Sequence, residues 1–309
     1  MLLFTQAIPR PAIWGGTLIR EYFHYPQFPD GIGQSWSFSC MKGEGESNII
    51  TDGPYAGKTP LDVWEHEPQL FHSRHTRFPV IISLVAPMDD LSIQVHPTDA
   101  VAAKSGYATG KNEAWYFGEA PEHSTIVYGQ NARDEAGLRD MIAKDQWSDL
   151  IRHLPVQQGG VYLPAGMVHA LKKGNIVYEI QQSTDVTYRF FDYHRKDAKG
   201  QERPLQLEEA IACVDYTLDD TCAHPEQTTS RLAGATITTF IANDSFCVRR
   251  YEISGTQDFS FDAYQLMTCV KGEGRANGRT IGIGESFLVT AGSALTLEGN
   301  CTLMCTSEE

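Results

Sequence analysis

The chain has 309 residues, of which 41% are hydrophobic and 21% charged, and its formal net charge is −14. This length allows one large domain or two medium ones around a substantial core. The acidic balance and the lack of a lysine or arginine run argue against nucleic acid and anionic membranes as partners, because both need a basic surface. A small anionic substrate remains possible, since two or three cations in a pocket suffice to bind it.

The first residues, MLLFTQAIPRPAIWGG, lack the basic start and the roughly 7–15-residue apolar block of a secretion signal. No apolar run approaches the roughly 20 residues that span a bilayer. We therefore expect a cytoplasmic protein that does not enter membranes. The seven cysteines are scattered and form no CxxC pair, which favours buried, reduced thiols over disulfides or a cysteine zinc site.

Short strands separated by Gly, Pro, Asn and Asp turns dominate the first two thirds of the chain. They are predicted at 80–85, 91–96, 113–118, 124–129, 160–166, 175–182 and 187–193. Helical patterns interrupt them at about 57–72, 134–153 and 205–214. The first of these has Thr59 as its N-cap and Pro60 at its first position. Many short strands of this kind are typical of an antiparallel sandwich or barrel.

From about residue 232 the pattern consists of strands alone, and its rhythm resembles that of cupin barrels. The stretch GESFLVTAG (284–292) weakly echoes the ending of GGVYLPAGMVHAL (159–171). We therefore predict a mainly β fold of two jelly-roll units with a few inserted helices. Residues 1–230 form a metal-binding catalytic domain that carries the helices. Residues 231–309 form a second cupin-like domain, predicted to be metal-free because no histidine follows His224.

The candidate metal ligands lie on three of the predicted strands. Residues two apart on a strand point to the same face, so Gln94 projects with His96, and Lys111 projects with Glu113. His169 follows a tight turn in PAGMVHAL. Two histidines and a carboxylate form a recurring ligand set for zinc or for oxygenase iron. Gln94 as a fourth ligand fills the position that an iron oxygenase would leave open, which favours zinc.

Seven ordered segments resemble the successive motifs of type I mannose-6-phosphate isomerases, especially the short bacterial form. They are 13–19, 31–39, 53–62, 90–99, 110–117, 161–171 and 178–193. The resemblance covers roughly residues 10 to 215. It implies an enzyme with one zinc ion per chain that interconverts mannose 6-phosphate and fructose 6-phosphate through a cis-enediol. The zinc ligands that it implies are Gln94, His96, Glu113 and His169, the same four that the strand spacing selects.

The resemblance also implies roles for further polar residues. It places Lys111, Arg189 and Glu179 among the catalytic residues and makes Asp185, which precedes the YR motif, a candidate for binding the substrate. Glu179 and Lys111 are the candidates for proton transfer, and the pKa of Lys111 is expected to be lowered by the metal and Arg189. Arg189 would stabilise the enediolate or contact the phosphate. Structural roles remain open: Glu179 could be a buried partner of Arg189, and Lys111 could merely balance Glu113.

One departure from the family pattern affects the substrate. Family members commonly have a lysine in the strand before QVHP, whereas FPVIISLV places Ser83 there. Ser83 can contact a substrate through a hydrogen bond, but it brings no charge. The alternatives are therefore an isomerase of another or an unphosphorylated sugar, a non-catalytic sugar-binding cupin, and an iron oxygenase. The sequence leaves the oligomeric state open.

Overall fold

The computed structural model describes residues 1–157, 159–197 and 199–308. The mainly β architecture predicted from the sequence is confirmed. The first twelve strands are β1 (Leu2–Thr5), β2 (Ile8–Gly16), β3 (Ile32–Phe38), β4 (Val80–Val85), β5 (Ile93–Val95), β6 (Glu113–Glu119), β7 (Thr125–Gln130), β8 (Ile151–Pro155), β9 (Gly159–Leu163), β10 (His169–Ala170), β11 (Ile176–Gln182) and β12 (Tyr188–Phe191).

Seven further strands follow the last helix. They are β13 (Thr228–Arg231), β14 (Ala235–Ala242), β15 (Cys247–Phe261), β16 (Gln265–Ala276), β17 (Arg279–Gly282), β18 (Ser286–Val289) and β19 (Ser293–Ser307). The α-helices are α1 (Leu18–Tyr22), α2 (Pro60–His66), α3 (Asp99–Lys104), α4 (Glu135–Ala143), α5 (Trp147–Leu150) and α6 (Leu207–Cys213). None of the helices in the described ranges has the length and apolar character needed to cross a bilayer.

Two antiparallel sheets form the first half of the molecule. One has the order β2-β3-β4-β11-β6-β9, and the other has the order β12-β5-β10-β7-β8. Side chains of both sheets meet in one buried cluster, with Trp115 and Val161 from the first and Ile126 and Tyr128 from the second. The two sheets therefore form a sandwich, and polar residues on their inner faces are enclosed between them.

Strand β4 shows how the sequence directs side chains to either side of its sheet. Ile82 and Leu84 pack in a core shared with the carboxyl-terminal sheet, which also contains Phe240 and Met304. Ser83 lies between them in sequence and points the other way, because successive strand residues alternate between faces. It is fully buried. A hydroxyl is thus placed inside the sandwich by an otherwise apolar strand.

The carboxyl-terminal strands form one sheet with the order β1-β18-β16-β19-β15-β14-β13, and β17 pairs with β16. The first strand of the chain belongs to this sheet, since Leu2 lies opposite Val289 and Thr5 lies opposite Ser286. Phe4 packs on Phe287 in the core of this sheet. The predicted division of the chain at residue 230 remains a prediction.

Helices α2, α4, α5 and α6 lie within the predicted helical stretches, whereas α1 and α3 lie in segments for which no helix was predicted. Helix α2 has Thr59 as its N-cap and Pro60 at its start, and the side chain of Asp62 completes a capping box. The prediction of helix up to residue 153 is wrong, because Ile151 begins strand β8, which pairs with β7. Six of the seven cysteines are buried thiols, and Cys222 is half-buried.

Candidate active site and metal centre

Strand register brings the candidate ligands together. In the five-stranded sheet, Gln94 lies directly opposite His169 on one side and Arg189 on the other. In the six-stranded sheet, Glu113 lies opposite Gln181, and Glu179, two residues away, lies opposite Ser83. Both sets of residues belong to the sandwich interior, so residues separated by up to about 100 positions in sequence share one site.

His96, Glu113 and His169 form a compact triad. His96 Nε2 lies 3.2 Å from Glu113 Oε1, and His169 Nε2 lies 3.4 Å from Glu113 Oε2. The potential ligand atoms of the three residues all lie within 4.8 Å of one another. Each residue is only 1% exposed. This is the geometry of a site that can hold a metal ion.

The protonation of the triad suits metal binding. His169 Nδ1 lies 2.9 Å from the Met167 carbonyl, to which it can donate, leaving the Nε2 lone pair free towards Glu113. Burial, aided by Lys111, lowers the pKa of His96 to about 3, so its imidazole is neutral at pH 7. Glu113 Oε2 is buried and receives no hydrogen bond from the residues that the structure describes. A cation would satisfy this buried carboxylate oxygen, so the residues present fit a metal ion.

Gln94 lies beside the triad, but its amide oxygen points away from the triad, towards Ser92. Its Nε2 is 3.4 Å from His169 Nε2, and its Oε1 accepts a hydrogen bond from Ser92 at 3.3 Å. In this rotamer the amide nitrogen faces the triad. A role as a metal ligand therefore requires a 180° rotation of the amide, which brings the oxygen to the same place.

Lys111 is buried against the triad. Its Nζ lies 2.8 Å from Glu113 Oε1 and 3.4 Å from His96 Nε2. Burial alone would lower the pKa of Lys111, but Glu113, Glu179 and Asp185 outweigh it and raise the pKa. The protein groups alone thus act in the direction opposite to the lowering expected from the metal and Arg189, because carboxylates surround the ammonium. In turn, Lys111 and the histidines overcome the effect of burial on Glu113 and hold its pKa well below the usual value.

Glu179 is held by three donors on neighbouring strands. Its Oε2 accepts from Ser83 Oγ at 2.6 Å and from Gln34 Nε2 at 2.9 Å, and its Oε1 accepts from Trp115 Nε1 at 3.0 Å. Arg189, which the sequence suggested as a possible structural partner of Glu179, is not one of these three donors. Burial and the nearby Glu113 raise the pKa of Glu179 despite these hydrogen bonds. The carboxyl group is therefore fixed in position and easier to protonate than an exposed glutamate.

A cavity of about 200 Å³ opens beside these groups. The residues that line it and were selected from the sequence are Gln94, Lys111, Glu113, Glu179, Asp185 and Arg189. Arg10, Trp14, Gln34 and Arg203 also line it, and sequence reasoning missed them. Ser83 reaches the site through Glu179. Larger hollows elsewhere in the described part of the chain, of about 630, 740, 500 and 320 Å³, are lined by none of the candidate site residues.

The residues at the edge of the cavity differ in how firmly they are held. Burial and the neighbouring Arg203 lower the pKa of Arg189, which stays charged at neutral pH. Arg189 Nε is buried and has no hydrogen-bond partner among the described residues. Asp185 is exposed, and its Oδ2 lies 3.6 Å from a terminal nitrogen of Arg10. Arg203 makes two 2.7 Å hydrogen bonds to Asp192.

A strand sandwich of this kind, with a His–Glu–His triad beside a polar cavity, defines a cupin with a potential metal centre. A family model described as "Mannose-6-phosphate isomerase, cupin domain" matches residues 236–307. Mannose-6-phosphate isomerase of Streptococcus mutans is 34% identical over 302 residues, covering 96% of this chain and 92% of the relative. ManA of Bacillus subtilis, also named a mannose-6-phosphate isomerase, is 34% identical over 88% of this chain and 86% of its own.

The solved structures agree with these relatives. The crystal structure of a mannose 6-phosphate isomerase from Bacillus subtilis matches with a TM-score of 0.92 and 31% identity, covering 99% of both chains. A phosphomannose isomerase variant from Salmonella typhimurium matches with a TM-score of 0.77 but at 14% identity, which shows the fold alone. The chain belongs to the mannose-6-phosphate isomerase family. It is an enzyme of the aldose–ketose isomerase class.

Proposed function

We propose that this enzyme interconverts mannose 6-phosphate and fructose 6-phosphate with one zinc ion per chain. The observation that carries the proposal is the convergence of the His96–Glu113–His169 triad, Lys111 and Glu179 beside one cavity. The relatives of Streptococcus mutans and Bacillus subtilis that bear this activity in their names cover most of the chain. Its predicted cytoplasmic location and lack of a nucleic-acid partner remain predictions.

The triad and Gln94 would hold the metal. Imidazole nitrogens and carboxylate or amide oxygens suit zinc, which does not change its oxidation state and so does not divert an enediol into oxidation. When bound, the ion would supply a Lewis acid that polarises a substrate oxygen. His96 is already neutral, the hydrogen bond to Met167 orients His169 for this role, and Glu113 supplies the negative charge.

Glu179 would transfer the proton, and Lys111 would stabilise the negative charge that develops on the substrate. The isomerisation removes a proton from C2 of the open-chain aldose and delivers a proton to C1, while the hydroxyl proton moves between O1 and O2. Glu179 is the stronger candidate for the base, because its raised pKa brings it nearer to neutral pH. Lys111 remains charged in this structure, which suits it to stabilise negative charge on the cis-enediolate. Arg189 would bind the substrate from the opposite sheet.

A coupled assay of fructose 6-phosphate formation tests the proposal. Zinc-loaded enzyme should convert mannose 6-phosphate, a chelator should abolish turnover, and added zinc should restore it. Metal analysis of protein purified without added metal distinguishes zinc from iron. Lack of conversion by zinc-loaded enzyme, or full activity after complete metal removal, would contradict the proposal.

A second candidate keeps the chemistry but changes the substrate to an unphosphorylated or differently substituted sugar. Ser83 supports it, since the position that commonly holds a lysine in the family carries no charge, and its hydroxyl is bonded to Glu179. Turnover of mannose at a kcat/KM equal to or above that of mannose 6-phosphate would favour this candidate.

A further inference from the structure

We propose that Arg10 recognises the anionic end of the substrate, a phosphate monoester, and so supplies the charge that Ser83 does not. This inference rests on the proposed function. Arg10 lies on β2, opposite Gln34 on β3, and lines the cavity that contains Lys111 and Glu179. It thus belongs to the site although it lies outside every ligand and catalytic motif selected from the sequence.

Arg10 is held in position by an aromatic platform. Its guanidinium carbon lies 3.8 Å from the centre of the Trp36 ring. Trp36 is only 1% exposed, so this platform is fixed. Stacking uses the face of the guanidinium and leaves the N–H donors at its edge free for an oxyanion, whose oxygens match the planar fork. The arrangement therefore presents a pre-oriented donor group at the cavity.

Two of the other cationic side chains that line the cavity already form ion pairs with protein carboxylates. Arg203 is hydrogen-bonded twice to Asp192, and Lys111 is paired with the buried Glu113. Arg10, in contrast, has a single ion pair in the described part of the chain, at 3.6 Å, with Asp185, whose side chain is 55% exposed. Exposed ion pairs of this length are worth little. A phosphate dianion can therefore displace Asp185 from Arg10 at small cost.

The strand register relates Arg10 to Ser83. Trp36 lies directly opposite Ser83 in the β3–β4 pair. The charge stacked on Trp36 thus lies one strand away from the position at which family members commonly carry lysine. Ser83 cannot donate its hydroxyl to phosphate without giving up the 2.6 Å hydrogen bond to Glu179. Among the described residues that line the cavity, Arg10 and Arg189 are thus the guanidinium groups that no carboxylate holds through two hydrogen bonds.

The test uses Arg10→Met, which keeps an apolar stem on Trp36 but removes the charge, with Arg10→Lys as the charge-retaining variant. Arg20→Gln is the control, because the side chain of Arg20 is also 30% exposed and pairs with an exposed aspartate, Asp30. Zinc-loaded enzymes are assayed with mannose 6-phosphate, and inorganic phosphate is the competing probe.

We expect Arg10→Met to raise both KM for mannose 6-phosphate and the inhibition constant of inorganic phosphate by about tenfold or more, the effect of losing hydrogen bonds to a charged group. kcat should change by less than about threefold, because contacts remote from the reacting carbons stabilise substrate and transition state alike. Arg10→Lys should recover part of the affinity, and Arg20→Gln should match the wild type.

Unchanged constants in a folded Arg10→Met protein, or a loss confined to kcat, would overturn the assignment of Arg10. Arg10→Gln replaces it if circular dichroism shows that Arg10→Met does not fold. Calorimetric titration with mannose 6-phosphate separates the two proposals. A wild type that binds this sugar phosphate without isomerising it contradicts the proposed function, whereas a variant that binds it as tightly as the wild type contradicts the role of Arg10.

Discussion

Ser83 Oγ donates a 2.6 Å hydrogen bond to Glu179 Oε2, across a register pair of strands β4 and β11. The residue that replaces the lysine common in the family therefore contacts the candidate base directly. Gln34 donates to both Ser83 Oγ and Glu179 Oε2, at 2.9 Å each, so the three side chains form one network. The substitution thus affects the position and acidity of a catalytic candidate as well as the charge of the cavity.

Ser83→Ala should move the acid limb of the pH–rate profile to higher pH. The hydroxyl stabilises the charged carboxylate, so its loss raises the pKa of Glu179 further, and the base form then requires a higher pH. We expect kcat/KM at a given pH on this acid limb to fall roughly tenfold, the effect of one hydrogen bond to a charged group worth about 1.4 kcal/mol. Ser37→Ala is the control, because Ser37 is also buried on this sheet and its hydroxyl has no partner among the described residues. An unshifted acid limb in Ser83→Ala would contradict the role of this contact.

Glu113→Gln should reduce metal retention and abolish isomerisation. The substitution removes the negative charge between His96 and His169 and leaves the buried Lys111 without its partner at 2.8 Å. Breaking a buried ion pair in this way costs about 3–5 kcal/mol. Metal content after dialysis, activity and urea unfolding should all change. Glu65→Gln, which breaks the exposed pair with Lys42, should change none of them appreciably. Wild-type metal content in Glu113→Gln would count against the triad as the metal site.

The metal-stripped enzyme should lose stability as the pH falls below the usual value for histidine. The pKa of His96 is about 3 in the folded protein and near 6.5 when unfolded, so the unfolded chain binds the extra proton between these values. His96 alone should then lower the free energy of unfolding by about 1.4 kcal/mol per pH unit in this range. Urea unfolding at pH 7 and pH 5 measures the effect. His96→Gln should flatten this dependence, and His123→Gln, at a histidine whose side chain is 90% exposed, should preserve it.

Phe4→Ala should destabilise the protein by about 3–5 kcal/mol, the usual cost of removing a buried phenylalanine. The ring centres of Phe4 and Phe287 lie 5.0 Å apart, and Phe4 is only 4% exposed although it is the fourth residue of the sequence. Ile49→Ala, at a residue that is 42% exposed, is the control and should have little effect. Thermal or urea unfolding checks both. A near-neutral Phe4→Ala would mean that β1 contributes little to the carboxyl-terminal sheet.

The sequence could predict those parts of the site that depend on local geometry. Strand periodicity alone places Gln94 with His96 and Lys111 with Glu113, and Thr59 with Pro60 marks the start of α2. Arg10, Gln34 and Trp115 could not be found in this way, because their contacts depend on which strands lie side by side and in what register. The pKa of Lys111 was also beyond local reasoning, since it depends on Glu179 and Asp185, whose distances no spacing rule supplies.

The pairing of β1 with β18 has a consequence for the order of folding during synthesis. The partner of β1 is translated about 280 residues later. At about 5–20 residues per second, the first strand waits roughly 15 to 60 s on the ribosome before its partner exists. During this time the side chain of Phe4 lacks Phe287 and the other carboxyl-terminal residues of its core, whereas Leu3 can already pack against early residues such as Phe38 and Ile50. The enzyme must therefore complete its carboxyl-terminal sheet after β18 has been synthesised, and β1 is among the last strands to take its place in that sheet.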